Sequence, residues 1–412
     1  MLTVGGEQSV GEKTKDDVVL VATARTAIGN YGATLKGFLG IDLAVHVIKE
    51  VVRRAGLEEV KSQIGDVVMG QMYFRNKEEP NVGRLAAWQA GLGKEVPGMT
   101  MQRACAVGLQ AIITGAHEII AGMCDMVIAG GTESMTNAPY ELYNLRWGRR
   151  WLNEELFDGM YAPILSCPPT GTGMGVTAEN LADMFNITRD EMEEWAVTTH
   201  QRAARATEEG KFLEDIIPLE IPPKRKGDQP QIFDRDECIR PDTSIEKLRK
   251  LPPAFKEGGK VTAGTSCPLN DGAGVVVLMR RAKADELGIK PLAKFAGATV
   301  VGVDPDIMGY GPTAATKRLF EMKGLKASDV DLYQLHEPFA PIPLVFMKEI
   351  GVPKDIFNVN GSSIAIGHPI GATGANLTMI LVREMQRRDA RSGLVGLCQG
   401  TGMGTVALWE KE

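Results

Sequence analysis

The sequence predicts an α/β protein made of two similar layered halves, with a loop domain inserted between them. In each half, a strand leads to a reactive residue before a helix, and a second strand then ends in a glycine turn. The parallel is visible when 124–135 (CDMVIAGGTESM) is compared with 393–404 (GLVGLCQGTGMG). The stretch from about 134 to 260 differs, because it is rich in proline and tryptophan and has few clean strand patterns.

These patterns divide the chain into four parts. Residues 1–17 form a polar, flexible leader, and residues 18–133 form the N-terminal half, completed by part of 260–285. Residues 134–260 form the loop domain, and 286–412 form the C-terminal half.

Composition excludes several classes of protein. The chain has 412 residues, of which 44% are hydrophobic and 24% charged, a globular balance. A net charge of −6 argues against nucleic-acid binding. No apolar stretch approaches 18 residues, so we expect no membrane span, and the polar leader is no secretory signal. The six cysteines include no CxxC pair, which predicts no metal site and reduced thiols in a cytoplasmic setting.

The N-terminal half begins with strand 18–22 and an amphipathic helix over 42–55. Strand 66–72 follows. Cys105 then begins a helix that is apolar over most of its surface and is therefore buried. A short strand at 125–130 ends in a glycine turn at Gly130 and Gly131.

The loop domain contains one clear amphipathic helix, at 189–209. The C-terminal half then repeats the earlier order. Its predicted parts are a strand at 331–335 that ends in His336, a glycine-rich turn at 367–374 leading into a helix, a strand at 393–397 before Cys398, and a closing strand at 405–409.

Four residues could carry chemistry. Cys105 lies at a helix N-terminus, which lowers a thiol pKa, although on position alone a small buried side chain is the favoured explanation. His368, inside a glycine-dense turn, is a candidate base or oxyanion donor, or else a structural histidine. Cys398 precedes a turn whose N–H groups could bind an anion, unless it is simply a buried thiol. His336 lies at the carboxyl end of a strand, where α/β proteins gather ligands, and its alternative role is capping.

Taken together, the motifs resemble the thiolase family in order and spacing over nearly all of 18–410. The matching segments are VATARTAIGNYGATL, RACAVGLQAI, GGTESMTNAPY, MGVTAEN, RKGD, VTAGTSCPLNDGA, HEPFA, NVNGSSIAIGHPIGATGA and CQGTGMG.

The resemblance implies a thiolase-like fold and reversible thiolytic cleavage of a 3-oxoacyl-CoA, as in fatty acid β-oxidation. Cys105 would carry the acyl group, His368 would activate it, and Cys398 would act as acid and base. The backbone N–H groups of Cys105 and Gly400 would bind the oxyanion. His336 would hold a water for the enolate.

The family pattern also implies contacts with coenzyme A, a substrate here, while no cofactor is permanently bound. The loop domain would cover the CoA site, with Arg225 against the nucleotide and Met174, Ser266 and Cys267 along the pantetheine arm. Lys224 and Lys226 are either part of that contact or a solvated basic run. Family members imply a homodimer or homotetramer.

The chain departs from the family pattern around the acyl pocket. His336 stands where many members have asparagine, Cys267 replaces a serine, and Thr401 replaces a glycine. Val107 follows the nucleophile where serine is common, and Gly173 stands where short-chain members have histidine. These changes favour an unusual acyl group.

Two other functions fit parts of the pattern. A ketosynthase-like condensing enzyme uses one cysteine with two histidines, and His336 and His368 could form that pair. A thiolase-like acyl-CoA-binding subunit would act only with an accessory partner. Cys398 argues against the first alternative and the intact set of Cys105, His368 and Cys398 argues against the second.

Overall fold

The computed structural model describes residues 13–73, 77–148, 150–151, 153–161, 166–223, 225, 227 and 229–412. Within them the α-helices are α1 Gly40–Arg54, α2 Val82–Gln89, α3 Val107–Ile120, α4 Met174–Met184, α5 Arg189–Glu208, α6 Ile245–Leu248, α7 Arg281–Leu287, α8 Gly311–Lys323, α9 Pro341–Ile350, α10 Ser363–Ile366 and α11 Ile370–Arg388.

Strands in the same residues range from two to eleven residues. They are β1 Val18–Thr26, β2 Gly29–Asn30, β3 Asp66–Gly70, β4 Met99–Met101, β5 Met126–Ser134, β6 Tyr140–Glu141, β7 Phe157–Asp158, β8 Ser166–Cys167, β9 Thr172–Gly173, β10 Ile216–Ile217, β11 Leu219–Ile221, β12 Gln231–Phe233, β13 Asn270–Arg280, β14 Ala293–Gly302, β15 Leu332–Leu335, β16 Ser392–Gln399 and β17 Met403–Lys411.

The two ends of the main sheet have the same pattern of parallel and antiparallel strand pairs. Its strand order is β15-β16-β17-β14-β1-β13-β5-β3-β4. On one side β3 is parallel to β5, which is antiparallel to β13, and on the other β15 is parallel to β16, which is antiparallel to β17. The two sets, called here the first half-sheet (β1, β3, β4, β5, β13) and the second half-sheet (β14 to β17), meet at β1 and β14. This confirms the prediction of two similar α/β halves.

Two central helices lie between the half-sheets. Helix α3 packs on β3, β5 and β13, helix α11 packs on β5, β13, β15 and β16, and the two helices contact each other. Helix α1 covers the first half-sheet and α8 the second. Every residue of β5 and of β16 is buried, as expected for strands covered on both faces.

Glycines allow this close packing, which corrects two sequence predictions. Gly130 and Gly131 lie inside β5 and form no turn. A Cβ atom on Gly131 would lie 2.0 Å from the carbonyl oxygen of Gly371, so only glycine permits this contact of β5 with α11. Gly371 and Gly374 likewise lie within α11 rather than in a turn before it.

The remaining predicted elements are present with shifted ends. The first strand extends to Thr26 and the strand before Cys398 to Gln399, because both lie deep in the sheet. The amphipathic helix of the loop region begins after the capping box at Thr188 and ends at Glu208. The domain boundaries given above remain predictions.

A buried ion pair ties the central region to β1. Both terminal nitrogens of Arg25 bond Asp236, at 2.8 and 2.9 Å, and each side chain is 1% exposed. Asp236 also accepts the backbone N–H of Ile28. No helix in the described residues is long and apolar enough to cross a bilayer.

Candidate active site

Cys105 lies in a single 3₁₀ turn, Ala104–Ala106, between edge strand β4 and the buried helix α3. The α-helix itself begins two residues later than predicted, at Val107. Ala104 has a φ of 43°, a left-handed conformation that costs about 1–3 kcal/mol for a residue other than glycine. The strained turn places Cys105, a half-buried residue, at the start of the helix.

The resting thiol of Cys105 is protonated. Burial raises its pKa to about 11, opposed by the backbone N–H groups of Gly400 and of Cys105 itself, which bond the sulfur. The expectation that the helix N-terminus lowers the thiol pKa is therefore wrong for the free protein, because desolvation outweighs the N–H groups. A proton must leave Cys105 before it can act as a nucleophile.

His368 lies two residues before α11 and is held at both its backbone and its ring. Its backbone N–H donates to Oδ1 of Asn270 at 2.7 Å. Its Nδ1 lies 2.7 Å from Oγ1 of Thr373, and the Thr373 hydroxyl donates its only proton to the carbonyl oxygen of Pro369 at 2.9 Å. Nδ1 must then carry the ring proton, which leaves a lone pair on Nε2.

Burial keeps the His368 ring neutral. It lowers the pKa of the imidazole to about 3, so the free Nε2 is a proton acceptor at any physiological pH. This is the protonation state that a general base requires before it takes a proton from a thiol.

His336 follows the last residue of β15 and faces the same point. Its backbone N–H donates to Gly396 on β16 at 2.9 Å, and its Nδ1 lies 2.6 Å from Oγ of Ser363. Its Nε2 is buried and has no hydrogen-bond partner among the residues that the structure describes. Burial, then the neighbouring His368, lower the pKa of His336 well below its usual value.

These three side chains converge on one point. The ring centroids of His336 and His368 are 4.1 Å apart, and one ring nitrogen of each lies with Cys105 Sγ in a set whose members are all within 4.8 Å of one another. The topology explains the convergence. Cys105 precedes α3, His368 precedes α11, and these two helices pack together between the half-sheets.

Cys398 approaches the same place from β16. It is fully buried and pairs in register with Gly404 of β17. Burial raises the pKa of its thiol well above the usual range, as do the neighbouring Cys105 and Cys267 thiols. The turn after it contains Thr401, with a φ of 69°, next to the Gly400 N–H that bonds Cys105.

Three cavities meet around this cluster. The inner cavity, about 480 Å³, is mostly apolar and reaches Cys105 and His368, with Phe255, Phe339 and Met308 on its walls. An outer cavity of about 290 Å³ adds the polar side chains of His200, Asp242 and Lys247. The two share six lining residues: Arg240, Leu251, Ala263, Gly264, Ser266 and Pro268. A side cavity of about 330 Å³ lies beyond Cys105, with Arg103 and Gly400 on its wall.

The predicted CoA-contact residues fall in different places. Met174, Ser266 and Cys267 line the inner cavity. Arg225 is exposed and is not among the described residues that line the cavities. Lys224 and Lys226 lie outside the described residues. Burial raises the pKa of the Cys267 thiol, so it is protonated in the free protein.

Sequence reasoning missed the residues that hold the site from behind. Glu337 accepts hydrogen bonds from Nε1 of Trp195 at 3.0 Å, from the Thr199 hydroxyl at 2.9 Å and from Nδ2 of Asn358 at 2.6 Å. Asn358 also pairs with both backbone groups of Leu335, the residue before His336. Burial raises the pKa of Glu337 to about 7, against those three donors. Thr373 and Ser363 lie in the motif quoted above, but nothing in a sequence marks their hydroxyls as ring partners.

Comparisons with known proteins agree with this geometry. Residues 18–282 match the model for the thiolase N-terminal domain, and 289–411 match the thiolase C-terminal domain. An acetyl-CoA acetyltransferase of Chromobacterium violaceum is 42% identical, covering 96% of this chain and 100% of that protein. A beta-ketothiolase of Cupriavidus necator is 41% identical, with 96% and 99% covered.

Solved structures show the same similarity. The Bacillus anthracis acetyl-CoA acetyltransferase matches with a TM-score of 0.92 and 40% identity, covering 96% of this chain and 99% of that one. Human mitochondrial 3-ketoacyl-CoA thiolase in complex with CoA matches with a TM-score of 0.91 and 34% identity, with 96% and 98% covered.

Proposed function

This chain belongs to the thiolase family and is a CoA-dependent acyltransferase that cleaves 3-oxoacyl-CoA thiolytically, and we propose that Cys105, His368, Cys398, His336 and Gly400 carry out that reaction. The observation that carries the proposal is the meeting of the Cys105 sulfur with the ring nitrogens of His336 and His368. The family match favours this reaction over a ketosynthase-like condensation or a binding-only subunit.

In the first half of the proposed cycle, Nε2 of His368 takes the Cys105 proton as the sulfur attacks the 3-keto carbon. The backbone N–H groups of Gly400 and Cys105, which already bond the sulfur, are close enough to serve the resulting oxyanion. Preorganised donors of this kind are worth about 3–4 kcal/mol each. The C2–C3 bond then breaks, and the Cys398 thiol gives its proton to C2 of the leaving enolate.

In the second half, the Cys398 thiolate takes the proton of an incoming CoA thiol. The CoA sulfur attacks the thioester carbonyl, Cys105 leaves, and His368 returns its proton. One 3-oxoacyl-CoA and one CoA give acetyl-CoA and a shortened acyl-CoA. Covalent catalysis divides one difficult step into two easier ones.

The enolate formed in this cycle needs a hydrogen-bond donor. In the proposal, His336 supplies it, either by holding a water on Nε2 or by donating from that atom directly. The orphaned, buried Nε2 is what supports this role, because a buried ring nitrogen without a partner is costly unless a ligand completes it.

The continuous outer and inner cavities support a route for CoA. In this proposal the apolar inner cavity holds the pantetheine arm beside Met174, Ser266 and Cys267. Arg240 and Lys247 of the outer cavity, with Arg225 farther out, face the phosphates and the nucleotide. The shape of the inner cavity, walled by Phe255 and Phe339, also leaves room for an acyl chain or ring.

Three further points belong to the proposal. The protein acts as a homodimer or homotetramer without an obligatory accessory subunit, it binds no permanent cofactor, and it works in the cytoplasm. The six free cysteines support the location, because thiols stay reduced in that compartment.

The test is a panel of 3-oxoacyl-CoA substrates with free CoA, followed by mass spectrometry of products and of protein. We expect acetyl-CoA, a shortened acyl-CoA and an acyl adduct on Cys105, all absent in Cys105→Ala. Turnover that survives in Cys105→Ala, or an adduct on another cysteine, would overturn the assignment of the nucleophile.

A further inference from the structure

The most unusual feature of the site is a buried imidazole with nothing to bond. His336 is 0% exposed, and its Nε2 has no partner in the described structure. Together with His368 and Cys105 it gives the chain two imidazoles and a thiol directed at one point. The set offers one sulfur and two nitrogen ligands, all within 4.8 Å of one another.

We propose that Cys105, His336 and His368 form a binding site for a divalent cation of the zinc class, and that the bound ion blocks the nucleophile. The inhibition rests on the proposed function, whereas the binding does not. Three protein ligands with one open position is the arrangement of an accessible zinc site, and two of the three ligands here, Cys105 and His368, line the inner cavity.

The donor set selects the class of ion. Thiolate and imidazole suit Zn²⁺ and Co²⁺, whereas Mg²⁺ and Ca²⁺ require oxygen ligands. A tetrahedral Zn²⁺ with bonds of about 2.0–2.3 Å holds its ligand atoms roughly 3.3–3.7 Å apart, so side-chain shifts of about 1 Å complete the site.

Outer hydrogen bonds already orient both rings. Metal-bound histidines almost always pair their second ring nitrogen with a fixed polar group. Here Nδ1 of His368 is held by Thr373 at 2.7 Å, and Nδ1 of His336 by Ser363 at 2.6 Å. Both Nε2 atoms are left for the ion.

Binding of the ion releases one proton from the protein. Each ring binds the ion as neutral imidazole through Nε2, while its Nδ1 stays with its hydroxyl partner. Only the Cys105 thiol must lose a proton, which passes to solvent as the sulfur–metal bond forms. When the ion is bound and no substrate is present, a water molecule takes the fourth coordination position.

The test uses the full chain and Co²⁺ as a spectroscopic probe, so that binding is read without an activity assay. We expect one Co²⁺ per chain, with thiolate-to-cobalt charge-transfer absorption and the strong visible bands of tetrahedral Co²⁺. Zn²⁺ should displace it. His336→Asn should lower Zn²⁺ affinity by more than about 100-fold, beyond the ~10–100-fold expected when an outer partner is lost in Ser363→Ala.

Matched variants exclude other thiols. Cys105→Ser should lose the charge-transfer band, whereas Cys267→Ser, which changes a thiol in the same cavity outside the set, should keep it. Circular dichroism and melting curves check that each variant is folded. Absence of the band in the wild type, its persistence in Cys105→Ser, or equal affinity in His336→Asn would overturn the proposal. Because thiolysis is assayed separately, a metal-binding protein without turnover would refute only the catalytic roles.

Discussion

The hydroxyl of Thr373 fixes the tautomer of His368. Its oxygen lies 2.7 Å from Nδ1 of the ring, while its proton is donated to the carbonyl of Pro369. The imidazole can therefore carry its proton only on Nδ1, and the lone pair on Nε2 is available to Cys105. A side chain one turn into α11 thus decides whether the proposed base can accept a proton.

Thr373→Val removes this control with little change in volume. We expect kcat to fall by about 10–100-fold, a part of the ~10²–10⁴-fold contribution typical of general acid–base catalysis. Thr373→Ser should restore it. Nitrogen NMR of labelled histidine should show the Nδ1–H tautomer in the wild type and in Thr373→Ser, and a tautomer mixture in Thr373→Val.

Thr378→Val is the matched control for this prediction. Thr378 lies on the same helix, and within the described part of the chain its hydroxyl bonds only the backbone carbonyl of Gly374. If both valine variants lose the same activity, the effect of Thr373 is on the helix and not on the ring.

The Cys105 thiol should react slowly with alkylating agents at neutral pH in the free protein. Burial raises its pKa to about 11, so the thiolate fraction rises about tenfold per pH unit below that value. Between pH 7 and 9 the rate of iodoacetamide modification of Cys105, followed by peptide mass spectrometry, should increase by about 100-fold. A plateau near pH 8 would show instead an activated resting thiolate.

Gly108→Ala should destabilise the contact between α3 and α11. A Cβ atom on Gly108 would lie 2.4 Å from the carbonyl oxygen of Gly371, which belongs to a helix backbone that cannot move alone. We expect the free energy of unfolding to fall by about 1–3 kcal/mol or more, as in overpacked cores. Gly37→Ala is the control, because no atom of the described residues lies within 4 Å of its Cβ position. Equal denaturation midpoints for the two variants would refute the close packing.

Thr401→Gly should relieve strain beside the proposed oxyanion donor. Thr401 has a φ of 69°, which a β-branched residue adopts at a cost of about 1–3 kcal/mol. After the entropic cost of glycine, we expect a gain of about 1 kcal/mol in the free energy of unfolding. Asn186→Gly, at a φ of 53°, should gain less, because asparagine tolerates this conformation. A loss of stability in Thr401→Gly would mean that its hydroxyl bond to Gly400 outweighs the strain.

The helices and strands could be predicted because the spacing of apolar residues in each one reflects which side chains are buried. The apolar helix after Cys105 and the buried strands on either side of it follow directly from their spacing. The glycines were misjudged for a physical reason. A glycine pair in a sequence permits both a turn and a close contact, and only the approach of α11 to β5 shows that Gly130 and Gly131 serve contact.

Only part of the site could be predicted from the sequence. Cys105, His368, His336 and Cys398 could be named because reactive residues at strand ends and helix starts are recognisable. The pKa of Cys105 could not, since desolvation depends on what the fold packs around the thiol. Glu337 follows β15, whereas its three hydrogen-bond donors come from α5 and from the segment before α10. No local sequence pattern joins residues so far apart.

The two half-sheets share one pattern of strand pairing, and the proposed nucleophile lies in one half whereas its partners lie in the other. Cys105 precedes the helix of the first half-sheet, whereas His336, His368 and Cys398 all belong to the second. In the proposed mechanism neither half is an enzyme alone, because a chain cut between Leu287 and Ala293 separates Cys105 from His336, His368 and Cys398. In that mechanism, turnover during refolding requires that the two halves have packed against each other.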